Sequence, residues 1–240
     1  MLQKEKDNQG PHIEIIGHIY TDFATKFGIP RQSGLVDELL GKIVFLPAYR
    51  SADAFRGIED YSHLWLLWHF SQNSREGQTP SLTVRPPRLG GNMRMGVFAT
   101  RSPFRPSPIG LSSVRLDHVE WDTPEGTVLY VRGADLASGT PILDIKPYLP
   151  FTDAHPSAKG GFSDQTKAYA LKVVCSEDLL LPLSPELRKG LLKLLSGDPR
   201  PAYHDDGERV YGFTFASHEV TFRVKDDTLY VENILPCDKI

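Results

Sequence analysis

Cysteine is scarce in this 240-residue chain: Cys175 and Cys237 are the only two. That excludes a dense disulfide framework, and no CxxC or HxxxH spacing offers a metal site. Long apolar runs are missing too. No stretch approaches the roughly 18 consecutive apolar residues that a membrane span needs. The first dozen residues, Met1–His12, are polar and charged and lack the apolar core of a secretion signal. The sequence therefore predicts a cytoplasmic protein with a flexible N-terminal segment over residues 1–12. Internal repeats and low-complexity tracts are absent. So are the GxGxxG of a dinucleotide fold and the Lys-Ser/Thr of a P-loop. The remaining composition, 40% hydrophobic and 24% charged, is that of a globular protein long enough to bury a core in one domain or two.

One further absence is local. Between Gly77 and Leu116 there is no Asp, Glu or Lys, yet six arginines occur: Arg85, Arg88, Arg94, Arg101, Arg105 and Arg115. The chain as a whole has net charge −3, so the rest of it carries −9. A net-acidic protein thus concentrates planar, bidentate guanidinium groups in one place, the side-chain type that suits phosphate and carboxylate. Six prolines and five glycines punctuate the same segment and predict shaped loops.

Strand-like patterns dominate what precedes residue 150. They cover His12–Tyr20, Lys42–Leu46, His63–Phe70, Met93–Thr100, Leu111–Trp121, Thr127–Arg132 and Ile142–Leu149. Many short strands without intervening long helices predict a mainly β protein, a barrel or sandwich, over residues 13–160. Thr152–Gln165 is small, polar and Gly/Pro-bearing and reads as a linker. A smaller α+β domain is expected over residues 165–240. In it, Ala168–Cys175 reads as a strand and Ser184–Leu195 as a helix, with Ser184 as cap, Pro185 in the first turn and Gly197 past the end. Val210–Ala216, Glu219–Val224 and Thr228–Ile234 then form a meander that turns at Asp226–Asp227.

Several short motifs bear chemistry, each with a plainer alternative. In Met95–Leu111, Pro103, Pro106 and Pro108 stiffen a loop that either presents Arg101 and Arg105 to an anion or pairs them with acids elsewhere. Gly90 and Gly91, within Arg85–Asn92, permit close backbone approach to a phosphate, or simply a turn. Asp144 and Lys146 share a strand face, and either pair with each other or serve a site. His63 and His69 share a face beside Trp65 and Trp68, as satisfied structural histidines or as one catalyst. Asp135, just past a strand, is a hydroxyl acceptor or a turn cap.

Taken in order, Pro30-Arg-Gln32, Ser62–Trp65, Thr83–Asn92, Gly96–Ser102, Phe104–Pro106, Pro108–Gly110, Asp144–Tyr148 and the C-terminal Asp198-Pro-Arg-Pro-Ala-Tyr203 resemble the TrmO-type tRNA methyltransferases of the TsaA-like family. The resemblance implies an S-adenosylmethionine-dependent enzyme on a β-barrel. It implies N6-methylation of N6-threonylcarbamoyladenosine next to the anticodon of threonine tRNA, by a homodimer. It also implies a cofactor site at Pro30, Arg31, Gln32, His69, Phe70, Arg101, Leu111, Arg132, Gly133, Ala134 and Asp135.

The target nitrogen belongs to a urea-like group and must lose a proton, for which His69, Asp135 and Asp144 are the candidates. Arg85, Arg88, Arg105 and Lys146 are expected to bind tRNA phosphates or the threonyl carboxylate. Phe70, Phe98, Phe104 or Tyr148 would stack on an extruded base. Without the resemblance, the same residues also suit a non-catalytic tRNA-binding module or an enzyme acting on a small anionic metabolite.

Overall fold

The computed structural model describes residues 13–73, 81–86, 93–165, 169–200 and 206–237. In chain order they form β1 (Gly17–Tyr20), β2 (Leu40–Phe45), β3 (His63–His69), β4 (Thr83–Val84), β5 (Met95–Gly96), β6 (Ile109–Thr123), β7 (Gly126–Arg132) and β8 (Thr140–Pro147). Then come α1 (Pro150–Asp153), β9 (Lys172–Val174), α2 (Glu177–Leu180), α3 (Pro185–Ser196), β10 (Tyr211–Phe215), β11 (His218–Lys225) and β12 (Thr228–Pro236).

Six strands close into an antiparallel barrel in the order β1-β2-β7-β6-β3-β8, with β8 returning to β1. Period-two alternation decides which side chains fill it. Along β3, Leu64, Leu66 and Trp68 point inward while His63, Trp65, Leu67 and His69 point out. Ile19, Ile43, Val114, Leu129, Val131 and Ile142 meet them from the other strands, each at most 1% exposed. Each such aliphatic side chain contributes about 1.5–3 kcal/mol by leaving water. The interior is thus a packed core, and a site must lie at a rim or on an outer face.

A second sheet, β10-β11-β12-β9, has β9 running parallel to β12, with α3 against it. Ser184 caps α3 by accepting from the Leu187 amide at 3.3 Å, and Pro185 opens the helix. Leu191, Leu194 and Leu195 form its buried stripe. The core of this sheet also takes in Phe23, Val36 and Leu39 from the N-terminal part of the chain. Phe23 bridges to Phe215. Gly190, in mid-helix, lets α3 approach Leu39: a Cβ there would stand 2.4 Å from Leu39 Cδ2. The barrel and the second sheet are therefore docked through a shared apolar seam.

Several expectations shift in extent. The strand expected from His12 begins only at Gly17. The one expected over Met93–Thr100 shrinks to β5, because the chain turns into a 3-10 helix at Val97–Ala99. Both the Thr100 amide and its hydroxyl donate to the Val97 carbonyl and close that turn. β6 is longer than read, running fifteen residues. The expected linker Thr152–Gln165 carries the end of α1 and a 3-10 turn, Gly161–Gln165. α2, four residues long, is too short for a periodic signal. Residues 1–12, Arg88, Gly90, Gly91, Ala168 and Tyr203 lie outside the described residues.

Candidate functional site

Trp68 and Gly110 face each other across the β3–β6 pair. Only glycine fits there: a Cβ on residue 110 would stand 2.2 Å from the indole Cε2. The ring therefore lies flat over the Gly110 backbone, and its Nε1 reaches along β6 to donate to Ser112 Oγ at 3.0 Å. Ser112, 1% exposed, in turn donates to Asp135 Oδ1 at 2.5 Å. Asp135 stands just past β7, at the rim of the barrel. Burial drives its carboxyl above the ordinary range, while the Ser112 hydroxyl, the charge of Arg101 and the Ser33 amide work against that rise.

Arg101 follows the 3-10 turn that replaces the expected strand, and its Nη1 donates to Gln32 Oε1 at 2.6 Å. Gln32, Arg101 and Asp135, read from three distant segments, thus meet at one rim. Gln32 and Arg101 line a cleft of about 920 Å³ between the barrel loops and the second sheet. Its barrel side includes Ile29, Pro30, Arg31, Gln32, Phe98 and Arg101, and its far side includes Phe162, Tyr169, Lys193 and Asp198.

Arg31 holds those two sides together. Its Nη2 donates to the carbonyls of Asp198 and of Arg200, the latter at 3.0 Å. Asp198 is 6% exposed and adopts a left-handed φ of 53°. Its carboxylate takes two parallel bonds from Arg200, at 2.9 and 3.0 Å, and one from the Tyr169 hydroxyl at 3.0 Å. Burial would raise this carboxyl, but the bonds and charge of Arg200, with Tyr169, outweigh it and hold the group below the usual carboxylate range.

The other residues singled out from the sequence divide by location. Gly133, at φ 78°, and buried Ala134 shape the loop that delivers Asp135, and the Gly133 carbonyl accepts from the Gly34 amide at 2.9 Å. Phe70 packs edge-on against Trp68, ring centroids 4.2 Å apart. His69 and Leu111 lie on the outward faces of β3 and β6. Arg132 is engaged by Asp117 at 2.5 Å and by the Glu38 carbonyl at 2.8 Å. Asp144 pairs with Lys146 at 2.9 Å on the barrel exterior, so of the two readings offered for these residues they at least make the pair.

Arg105 turns back on its own loop and donates to the Thr100 carbonyl at 3.0 Å. Arg85, Arg94 and Arg115 are exposed, as is Phe98 at 75%. Tyr148 packs on Trp65 outside the barrel, ring centroids 5.5 Å apart. Sequence reasoning missed Trp68, Ser112, Asp198 and Arg200 as site elements. Ser112 had a usable signal, a polar residue in phase with the inward positions Gly110 and Val114.

A family model described as the tRNA-methyltransferase O N-terminal domain matches residues 18–154, and the TrmO C-terminal domain model matches residues 164–237. A tRNA (adenine(37)-N6)-methyltransferase of Escherichia coli K12 is 42% identical over 89% of this chain and 93% of its own length. One of the same description from Eikenella corrodens is 44% identical over 73% of this chain and 97% of its own. A crystal structure of TrmO from Pseudomonas aeruginosa superposes with a TM-score of 0.74 at 32% identity, covering 94% of this chain and 99% of that one. With both family models matched in sequence order and a TrmO crystal structure sharing the fold, this chain belongs to the tRNA-methyltransferase O family.

Proposed function

We propose that this protein transfers a methyl group from S-adenosylmethionine to N6 of N6-threonylcarbamoyladenosine, next to the anticodon of threonine tRNA. The observation that carries the reading is the meeting of Gln32, Arg101 and Asp135 at one rim beside the cleft, in a chain whose relatives are tRNA adenine N6-methyltransferases.

The residues present suit the cofactor's chemistry. Apolar Ile29, Leu35 and Val36 offer surface for its adenine and Arg101 a partner for its carboxylate, with Asp135 beside Arg101 a negative charge for its cationic part. When bound, the cofactor supplies a methyl carbon made electrophilic by the adjoining sulfonium. What remains for the chain is to place N6 in line and to take its proton. Asp135 is the best placed of the three proton acceptors. Asp144 is paired with Lys146, and His69 points out of the barrel. Asp135 alone stands beside Arg101 with one oxygen bonded to Ser112. The raised carboxyl keeps some basicity, which a proton acceptor needs.

Exposed Arg85 and Arg94, with Arg88 and Lys146, are proposed to meet tRNA phosphates, and exposed Phe98 to stack on the extruded base. The reading includes residues 13–160 and 165–240 as two domains in a cytoplasmic protein. It also includes a homodimer, which would cover exposed apolar side chains such as Phe151, 86% exposed.

The test is methyl transfer by the purified protein to threonine tRNA with and without the threonylcarbamoyl group. Incorporation into the modified tRNA alone is expected, and equal incorporation into both refutes the substrate. A protein that binds tRNA but shows neither transfer nor a thermal shift with S-adenosylmethionine would be the non-catalytic tRNA-binding module instead.

A further inference from the structure

We infer that a one-way hydrogen-bond chain, Trp68 to Ser112 to Asp135, sets the orientation and charge of the Asp135 carboxylate, which makes Ser112 and Trp68 positioning residues for the reaction. The direction follows from chemistry without sight of a hydrogen. An indole nitrogen only donates, so Ser112 Oγ accepts at 3.0 Å. The serine's own proton then goes to Asp135 Oδ1 at 2.5 Å, a separation typical of a hydroxyl bonded to a charged acceptor. Oδ1 is thereby engaged as an acceptor.

The packing points the same way. Ser112 and Gly110 are the inward residues of β6 beside Val114, in a wall that is otherwise apolar. A buried hydroxyl in such a wall is costly unless both its donor and acceptor capacities are used, and here both are. Gly110 is the space in which the indole lies. Gly110 and Ser112, each a poor strand-core choice on its own, make sense together with Trp68 as a device that donates one hydrogen bond to one carboxylate oxygen. The groups facing Asp135 come from three other elements: Ser112 from β6, the Ser33 amide from the loop after Gln32, and the cation Arg101 from the loop after the 3-10 turn. Burial is the largest influence and raises the carboxyl, so removing the Ser112 donor shifts it higher still.

The functional half of this inference rests on the methyl-transfer reading above, whereas the hydrogen-bond chain does not, and the experiment separates them. Carbon-13 NMR would follow the Asp135 carboxyl through a pH titration of the cofactor-free protein, with the signal assigned by Asp135→Asn. Loss of a bond to a charged acceptor in Ser112→Ala is expected to raise the midpoint by about one pH unit. Trp68→Phe should raise it less, and Ser112→Thr should stay near wild type. In methyl transfer, the acid limb of the pH–rate profile should move upward by the same amount in Ser112→Ala and return in Ser112→Thr.

If Ser112→Ala does not fold, Trp68→Phe carries the same readout. An Asp135 midpoint unmoved in both variants overturns the chain. A moved midpoint with an unmoved acid limb overturns its role in the reaction. A wild type that shows the NMR shifts in its variants but methylates no tRNA upholds the chain and refutes the function proposed above.

Discussion

Replacing Asp198 with alanine removes the acceptor at the centre of the seam between the barrel loops and the second sheet. Asp198 and Arg200 are nearly sealed from water, their side chains 9% and 11% exposed. The change leaves the Arg200 guanidinium buried with its two carboxylate bonds gone, and removes the partner of the Tyr169 hydroxyl. Breaking one side of a buried ion pair costs about 3–5 kcal/mol. The left-handed φ of 53° adds to this, since aspartate tolerates that region better than alanine does. For a chain of this size each kcal/mol moves the midpoint by about 2–4 °C, so the melting temperature should fall by about 6–20 °C.

Urea unfolding and a melting curve would measure both quantities, with Asp198→Asn as a control that keeps the backbone preference and an acceptor. The effect also has a pH signature. The folded carboxyl is held below its unfolded value, so its contribution is complete above the unfolded pKa, about 3.9. It is lost as pH falls through the depressed folded value. The gap between wild type and Asp198→Ala should be full at neutral pH and shrink below about pH 4. A loss under about 1 kcal/mol at neutral pH would refute the buried-pair argument, and a gap that persists unchanged in acid would refute its ionic origin.

Gly190→Ala is expected to destabilise the protein although alanine favours helix by about 1 kcal/mol, because its Cβ would meet Leu39 at 2.4 Å and overpacking costs about 1–3 kcal/mol. Denaturant titration reads the sign, and Leu39→Ala in the same chain should offset part of the clash. Arg101→Ala should weaken S-adenosylmethionine binding about tenfold in calorimetry, the worth of one charge-assisted bond at an exposed site; unchanged affinity removes Arg101 from the cofactor site. Arg85→Ala should leave cofactor affinity alone and make the salt dependence of tRNA binding shallower by about one unit. Arg105→Ala, whose guanidinium braces the loop carrying Arg101, should lower cofactor affinity as well.

Period-two alternation and turn chemistry made most strands legible, because each barrel strand carries its own inward and outward residues. The Ser184–Gly197 signals located α3 nearly to the residue. Met93–Thr100 misled because its apolar content suits a strand, whereas the Thr100 hydroxyl closes a turn that no periodicity reports. His63–Phe70 is a near-continuous apolar run with no visible alternation, yet Trp65 and Leu67 face outward. Trp65 is covered by Tyr148 and by Asp153, which accepts from its indole at 2.8 Å.

The acid-free arginine segment was visible from charge alone, but charge treats its arginines alike and the structure does not. Arg101 reaches Gln32, Arg105 braces a loop, and Arg85 stands in solvent. By itself the sequence determined the mainly β architecture, the helix with its caps, the anion-facing chemistry and the family, since these depend on local pattern and residue type. Tertiary structure decided which residues meet: Gln32 with Arg101 across 69 positions, Trp68 with Ser112 across 44, and Arg31 with the Asp198 loop across 167. The physical reason is that hydrogen bonds and desolvation act through space over a few ångströms, and barrel closure and sheet docking set those distances, whereas no local pattern does.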